Sequence, residues 1–246
     1  MANQDPLPSW LQLHPEPPLW LRATVDELLE AWSINASWDA KSAGAFTPEP
    51  ARRTGPLVEA FDELSNIPRS ALLVGTDSPW TAMFAQWGPR VPNRLELAPL
   101  VPCEVVHFDF TGDGATTDLG FSWWAAPASE AQALFREPVP HRTVRLWHEN
   151  GKWHFEQYGE ALSVENTTMY GRRARSERLD ADTLLSYAEQ LEIPLGTIDA
   201  YTGETALLFP TQWPDPPHEH SAAEEERLNI EWQRMRVARV HARQAR

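Results

Sequence analysis

A chain of 246 residues, 42% apolar and 23% charged, is long enough to bury a sizeable core in one large or two small domains without covalent staples. Its net charge of −14, from 35 acidic and 21 basic residues, opposes binding along a nucleic-acid backbone and suits a soluble protein or one attracted to a basic partner. The single cysteine, Cys103, excludes an intramolecular disulfide framework and fits a reducing compartment. The N-terminus has no signal-peptide pattern, and no run of about 18 apolar residues offers a membrane span. The expected location is the cytoplasm.

In chain order, residues 1–22 hold five prolines among Trp10, Leu11, Leu13, Leu19, Trp20 and Leu21, a pattern that predicts an extended arm docked on the body. Thr24 and Glu27 have the spacing of a capping box, and Val25, Leu28, Leu29 and Trp32 repeat at helical spacing behind them. A second helix is expected after Pro56, with Leu57, Phe61 and Leu64 as its apolar stripe.

The pattern then turns strand-like. Strands are predicted at 70–76, 79–88, 103–110 and 118–125. Alternation in the third puts Val106, Phe108 and Phe110 on one face and Val105, His107 and Asp109 on the other; in the fourth, Trp123 and Trp124 oppose each other. A short helix is expected at 129–137. Asn150-Gly151 predicts a type I′ hairpin turn, which sets Glu149 opposite Lys152, His148 opposite Trp153, Trp147 opposite His154, Leu146 opposite Phe155 and Arg145 opposite Glu156.

A helix over about 180–192 follows, capped by Asp180 or Asp182, with Leu184, Leu185, Ala188 and Leu191 inward. A last strand is expected at 205–209. Residues 214–223 read as a linker and 224–246 as a helical tail. The stretch 218–246 carries six arginines and five acids, which leaves the rest at −15. The expected domain, 23–213, is α+β: a mostly antiparallel sheet with helices on one face, the arm before it and the tail after it. Self-association through the tail helix is a further expectation.

The stretch from His107 to Phe121 has the D-x-[ST]-x-D-G spacing of a calcium loop at Asp109, Thr111, Asp113 and Gly114. Such a loop needs flanking helices and a Glu at its twelfth position; here the flanks alternate and that position is Gly120. A hairpin connection is the better account. His218 and His220 lack a third ligand nearby, and His148 and His154 are expected on opposite faces, so no metal or other cofactor is predicted. Cys103 lies in a strand without a glycine elbow and reads as an inert thiol.

Two segments, around "SALLVGTDSPWTAMF" and "ENGKWHFEQYGEALSVENTTMYGRRARSERLDADTLLSYAEQLEI", resemble a family of uncharacterised bacterial proteins over about residues 70–195. The resemblance implies a compact α+β domain with no assigned catalytic residues, of a kind that often accompanies polymorphic toxins. The absence of catalytic motifs, together with the acidic, aromatic-rich character, leads to the expectation of a non-enzymatic protein-binding module that takes a basic partner, with an immunity or antitoxin type of neutraliser as the form that the resemblance implies; neither nucleic acid nor membrane is expected. Its candidate binding residues are Trp124, Trp147, His154, Trp80 and Trp232, since tryptophan dominates interface hot spots; the other reading of the face that carries Trp124, Trp147 and His154 is cover by the chain's own proline arm or tail helix. The alternative is an enzyme or small-molecule binder with an aromatic pocket near His107, Asp109 and His154.

Overall fold

The computed structural model describes residues 18–33, 50–53, 57–66, 70–85, 103–112, 117–126, 140–195, 201 and 204–208. The predicted helix at 129–137, the linker, the tail with Trp232, His218 and His220, and Asp113 lie outside the described residues.

Nine strands form one sheet: β1 (Leu19–Leu21), β2 (Ala51–Arg53), β3 (Ala71–Gly75), β4 (Thr81–Ala85), β5 (Val105–Gly112), β6 (Thr117–Trp124), β7 (Arg142–Glu149), β8 (Lys152–Tyr158) and β9 (Thr205–Leu208). Their order is β2-β9-β3-β4-β1-β5-β6-β7-β8, and every pairing is antiparallel. The second half of the sheet is a meander in which each strand pairs with the next. The first half is assembled from segments far apart in sequence.

The expected docking arm is corrected here at its C-terminal end. Leu19–Leu21 is the strand between β4 and β5, with all three residues at most 2% exposed. Its alternation sends Trp20 to one face and Leu19 and Leu21 to the other, so a three-residue strand links two cores.

Helices cover both faces, not one. Helix α1, over residues 25–33, lies on the face of Leu19, Leu21, Leu73, Met83 and Val105, into which it buries Val25, Leu28, Leu29 and Trp32. Its capping box forms as the spacing requires: the Thr24 backbone N–H donates to Glu27 Oε2 (2.9 Å), and the Glu27 N–H donates to Thr24 Oγ1 (3.3 Å). Helix α2 (Leu57–Asn66) buries Leu57, Phe61 and Leu64 on the opposite face, against Phe84 and Leu72.

Behind β5–β8 the same face is closed by helix α3 (Thr167–Tyr170) and helix α4 (Ala181–Gln190). Asp180 caps α4 by accepting from the Thr183 N–H at 2.8 Å. Leu184 and Ala188 point inward as their spacing predicts; Tyr187 joins them, while Leu185 and Leu191 are half-buried.

The hairpin β7–β8 takes the register that its turn dictates, pair for pair from Glu149–Lys152 to Arg145–Glu156. Asn150 (φ 51°) and Gly151 (φ 74°) both occupy the left-handed region, as a type I′ turn demands. β5 and β6 pair from Val105–Trp124 to Gly112–Thr117, so the described flanks of the calcium-like stretch are two paired strands and not the helices that a calcium loop needs.

Candidate functional site: the polar face of the β5–β8 meander

Because side chains alternate, the β5–β8 meander has one face for the core and one outside it. Val106, Phe108, Phe110, Phe121, Val144 and Leu146 take the first and are buried. The second face is a grid set by the registers. One row reads His107, Ser122, Thr143, Tyr158; the next reads Asp109, Gly120, Arg145, Glu156; the third brings Asp118, Trp147 and His154 together. The α1 core reaches this face only as far as Val105 and the half-buried Trp124 beside it.

At the centre of the grid, Arg145 donates from Nε to Asp118 Oδ1 at 2.9 Å, and its Nη2 bonds the other carboxylate oxygen. Asp118 thereby pushes the guanidinium up from its ordinary value, with charge from Asp109 and Glu156 acting in the same sense. The guanidinium also lies 5.1 Å from the Trp147 ring centroid, a cation–π distance. The indole also stacks on His154, centroids 5.0 Å apart and planes 13° from parallel. Asp118, Arg145, Trp147 and His154 thus form one connected, half-exposed cluster.

Gly120 makes this geometry compatible with the sheet. A Cβ there would meet the Val144 carbonyl oxygen at 2.7 Å, so β6 and β7 approach more closely than another residue allows. The missing side chain also leaves a gap in the row between Asp109 and Arg145.

The sequence-predicted residues separate into groups. Trp147 and His154 are brought together. Trp124 is half-buried at the near end of the same face. Trp80 is a correction: it is 2% exposed in the core, and its indole N–H donates to the Leu191 carbonyl at 2.8 Å, so it joins no surface.

His107 Nδ1 lies 3.6 Å from Asp109 Oδ2, a pair on one strand. His154 is three strands away, roughly 14 Å across the sheet from that pair. The three side chains do not converge on one reacting atom. His148 and His154 fall on opposite faces, and among the described residues no group of three His, Cys, Asp or Glu side chains is placed to hold a metal ion. Cys103 is buried; desolvation, reinforced by the charges of Glu27 and Glu104, pushes its thiol up to about 12, where it is a poor nucleophile.

One polar assembly escaped the sequence reading. Arg142, on the core face of β7, donates from Nε (2.9 Å) and Nη2 (2.6 Å) to the Glu165 carboxylate, from Nη1 to the carbonyls of Tyr158 (3.2 Å) and Gly159 (2.9 Å), and from Nη2 to Gln157 (3.0 Å). Glu165 also accepts from the Leu162 N–H (2.7 Å) and the Tyr170 hydroxyl (2.9 Å). The Arg142 and Glu165 side chains are 2% and 0% exposed. A signal was present: Arg142 stands at the same parity as Val144 and Leu146, and a charge at a core-facing position requires a buried partner. The assembly fastens residues 162–170 to the hairpin, and its closed shell leaves no room for a substrate.

Comparison of the chain with protein-family models, with curated proteins and with solved structures gave no match, so the resemblance over residues 70–195 carries no family assignment.

Proposed function

We propose that the chain is a non-enzymatic protein-binding module that recognises a basic partner through the outer face of β5–β8. The observation that supports this reading is the half-exposed Trp147, in contact with both His154 and Arg145 on a face where Asp109, Asp118, Glu149 and Glu156 outnumber Arg145 and Lys152. A stacked indole loses little rotamer freedom on binding, and a ring of carboxylates steers a basic surface toward it. Tyr158, 64% exposed at the end of β8, extends the aromatic surface to the sheet edge. The immunity or antitoxin role expected from the sequence would be this same binding directed at a basic toxin.

The test is co-purification of the chain with the products of genes encoded beside its own. Capture of a basic partner is expected, with W147A weakening it by about 30-fold, the effect of losing a hot spot worth about 2 kcal/mol. Failure to capture any neighbouring product, or capture undiminished in a W147A R145A double variant, refutes the reading.

A further inference from the structure

Nine arginines lie among the described residues. Five are held by carboxylates: Arg22 by Glu104, Arg52 by Asp26 and Glu204, Arg53 by Glu63, Arg142 by Glu165 and Arg145 by Asp118. The other four, Arg172, Arg173, Arg175 and Arg178, fall within seven residues, and none makes an ion pair among the described residues. In a chain with a net charge of −14, carboxylates are plentiful, yet this loop has only Glu177 within it.

What holds three of these side chains is backbone. Arg172 Nη1 donates to the Glu177 carbonyl (3.2 Å), Arg178 Nε to the Arg172 carbonyl (2.8 Å), and Arg175 Nη1 to the Trp153 carbonyl on β8 (3.2 Å). The Arg178 guanidinium also sits 5.4 Å from the Phe155 ring centroid. Each of these bonds uses one of a guanidinium's five N–H groups and fixes its position while leaving the others for a ligand. Consecutive turns, closed by bonds of 3.1 Å from Arg172 to Met169, Glu177 to Ala174 and Arg178 to Arg175, stiffen the backbone beneath them. Like charges fixed within a Debye length of about 8 Å repel, and an anion relieves that repulsion with part of its entropic cost already met by the loop.

We infer that residues 172–178 form a docking site for an acidic peptide segment of a partner protein, with its carboxylates taken by the four guanidiniums. Forked guanidiniums match carboxylates two bonds at a time. Trp153 and Phe155, half-buried beside the loop, give such a peptide an apolar contact that a phosphate backbone would not use. A duplex carries a charge about every 1.7 Å and would run past this short loop onto the acidic remainder of the chain, whereas a peptide of a few residues ends with the loop. Trp153 and Phe155 project from the opposite face of β8 to His154 and Glu156, so the site is separate from the β5–β8 face and does not depend on it.

The test is fluorescence anisotropy of a labelled peptide rich in Asp and Glu with one Leu, added to the full chain at about 50 mM and about 300 mM salt. Binding is expected at low salt, at least tenfold weaker at high salt. Arg173→Glu should weaken it at least tenfold, Arg173→Lys should largely retain it, and W147A should leave it unchanged. Arg173 makes no side-chain bond among the described residues, so its variants should melt with the parent. No binding at low salt, or binding indifferent to Arg173→Glu, overturns the inference. So does displacement of the peptide by an equal concentration of a DNA oligonucleotide of matched charge, which would assign the loop to phosphates.

Discussion

Replacing Arg142 by Met removes a guanidinium whose five donors are all used, and the consequence can be worked from the groups left behind. The Glu165 carboxylate, 0% exposed, keeps only the Leu162 N–H and the Tyr170 hydroxyl as donors. The carbonyls of Tyr158 and Gly159 lose their partner too, although both residues are exposed and water can replace it. Breaking a buried ion pair from one side costs about 3–5 kcal/mol, because a desolvated charge stays behind, so we expect about 4 kcal/mol. At about 2–4 °C per kcal/mol for a domain of this size, R142M should melt about 8–16 °C below the parent.

The double variant R142M E165M separates this cause from simple loss of packing. It removes the stranded charge and leaves the Leu162 N–H without its acceptor, while the Tyr170 hydroxyl keeps the Tyr187 hydroxyl at 3.1 Å, for about 2 kcal/mol. Urea unfolding followed by circular dichroism reads both values. An R142M cost below about 1 kcal/mol, or a double variant less stable than R142M, would refute the argument that the charge pair dominates.

The other predictions concern backbone, cap and thiol. Gly159→Ala should cost about 3–5 kcal/mol, since φ is 82° and a Cβ would lie 1.8 Å from the His141 carbonyl oxygen; Gly151→Ala, at φ 74° with nothing within 4 Å, should cost only about 1 kcal/mol. Paired urea curves compare them, and equal losses would contradict the steric account. The double change T24A E27A should cost about 1–2 kcal/mol and speed amide exchange in residues 25–33 before other helices; uniform exchange would show that the cap is not what holds that end. The Cys103 thiol, raised by burial to about 12, stabilises the fold fully below the unfolded thiol's pKa near 9, and this contribution is lost as pH rises from there toward 12. C103A should therefore lose stability less steeply than the parent over that window, by up to about 1.4 kcal/mol per pH unit, and native protein should resist thiol reagents at pH 8.

The comparison of sequence with structure is clearest at the two hairpins. The β7–β8 register follows from Asn150-Gly151, because two adjacent residues tolerant of positive φ determine which pairs face each other. The split of β5 and β6 into a core face and an outer face follows from alternation alone. Both rest on contacts between residues near in sequence. The same is true of the α1 capping box and of Asp180 before α4.

The first half of the sheet was different. Three residues, Leu19–Leu21, are too few to display a period, and among prolines they resemble an arm; only their insertion between β4 and β5 makes them a strand. Ala51–Arg53 reads as polar coil until it pairs with β9.

The site divides along the same line. Trp147 facing His154 was legible, since both lie on one hairpin. The burial of Trp80 was not: its indole N–H is satisfied by Leu191, 111 residues away, and nothing local distinguishes a tryptophan so held from an exposed one. The contrast between the paired arginines and those of the 172–178 loop also needed coordinates, since a sequence counts charges but does not say which carboxylate reaches which guanidinium. By itself, then, the sequence determined the α+β composition, the register of the β7–β8 hairpin, the two faces of the meander and the helix caps, all matters of local geometry and periodicity. Tertiary structure alone decided the strand order of the first half, the helices on both faces and the charges that are neutralised, because each depends on residues brought together by long-range packing.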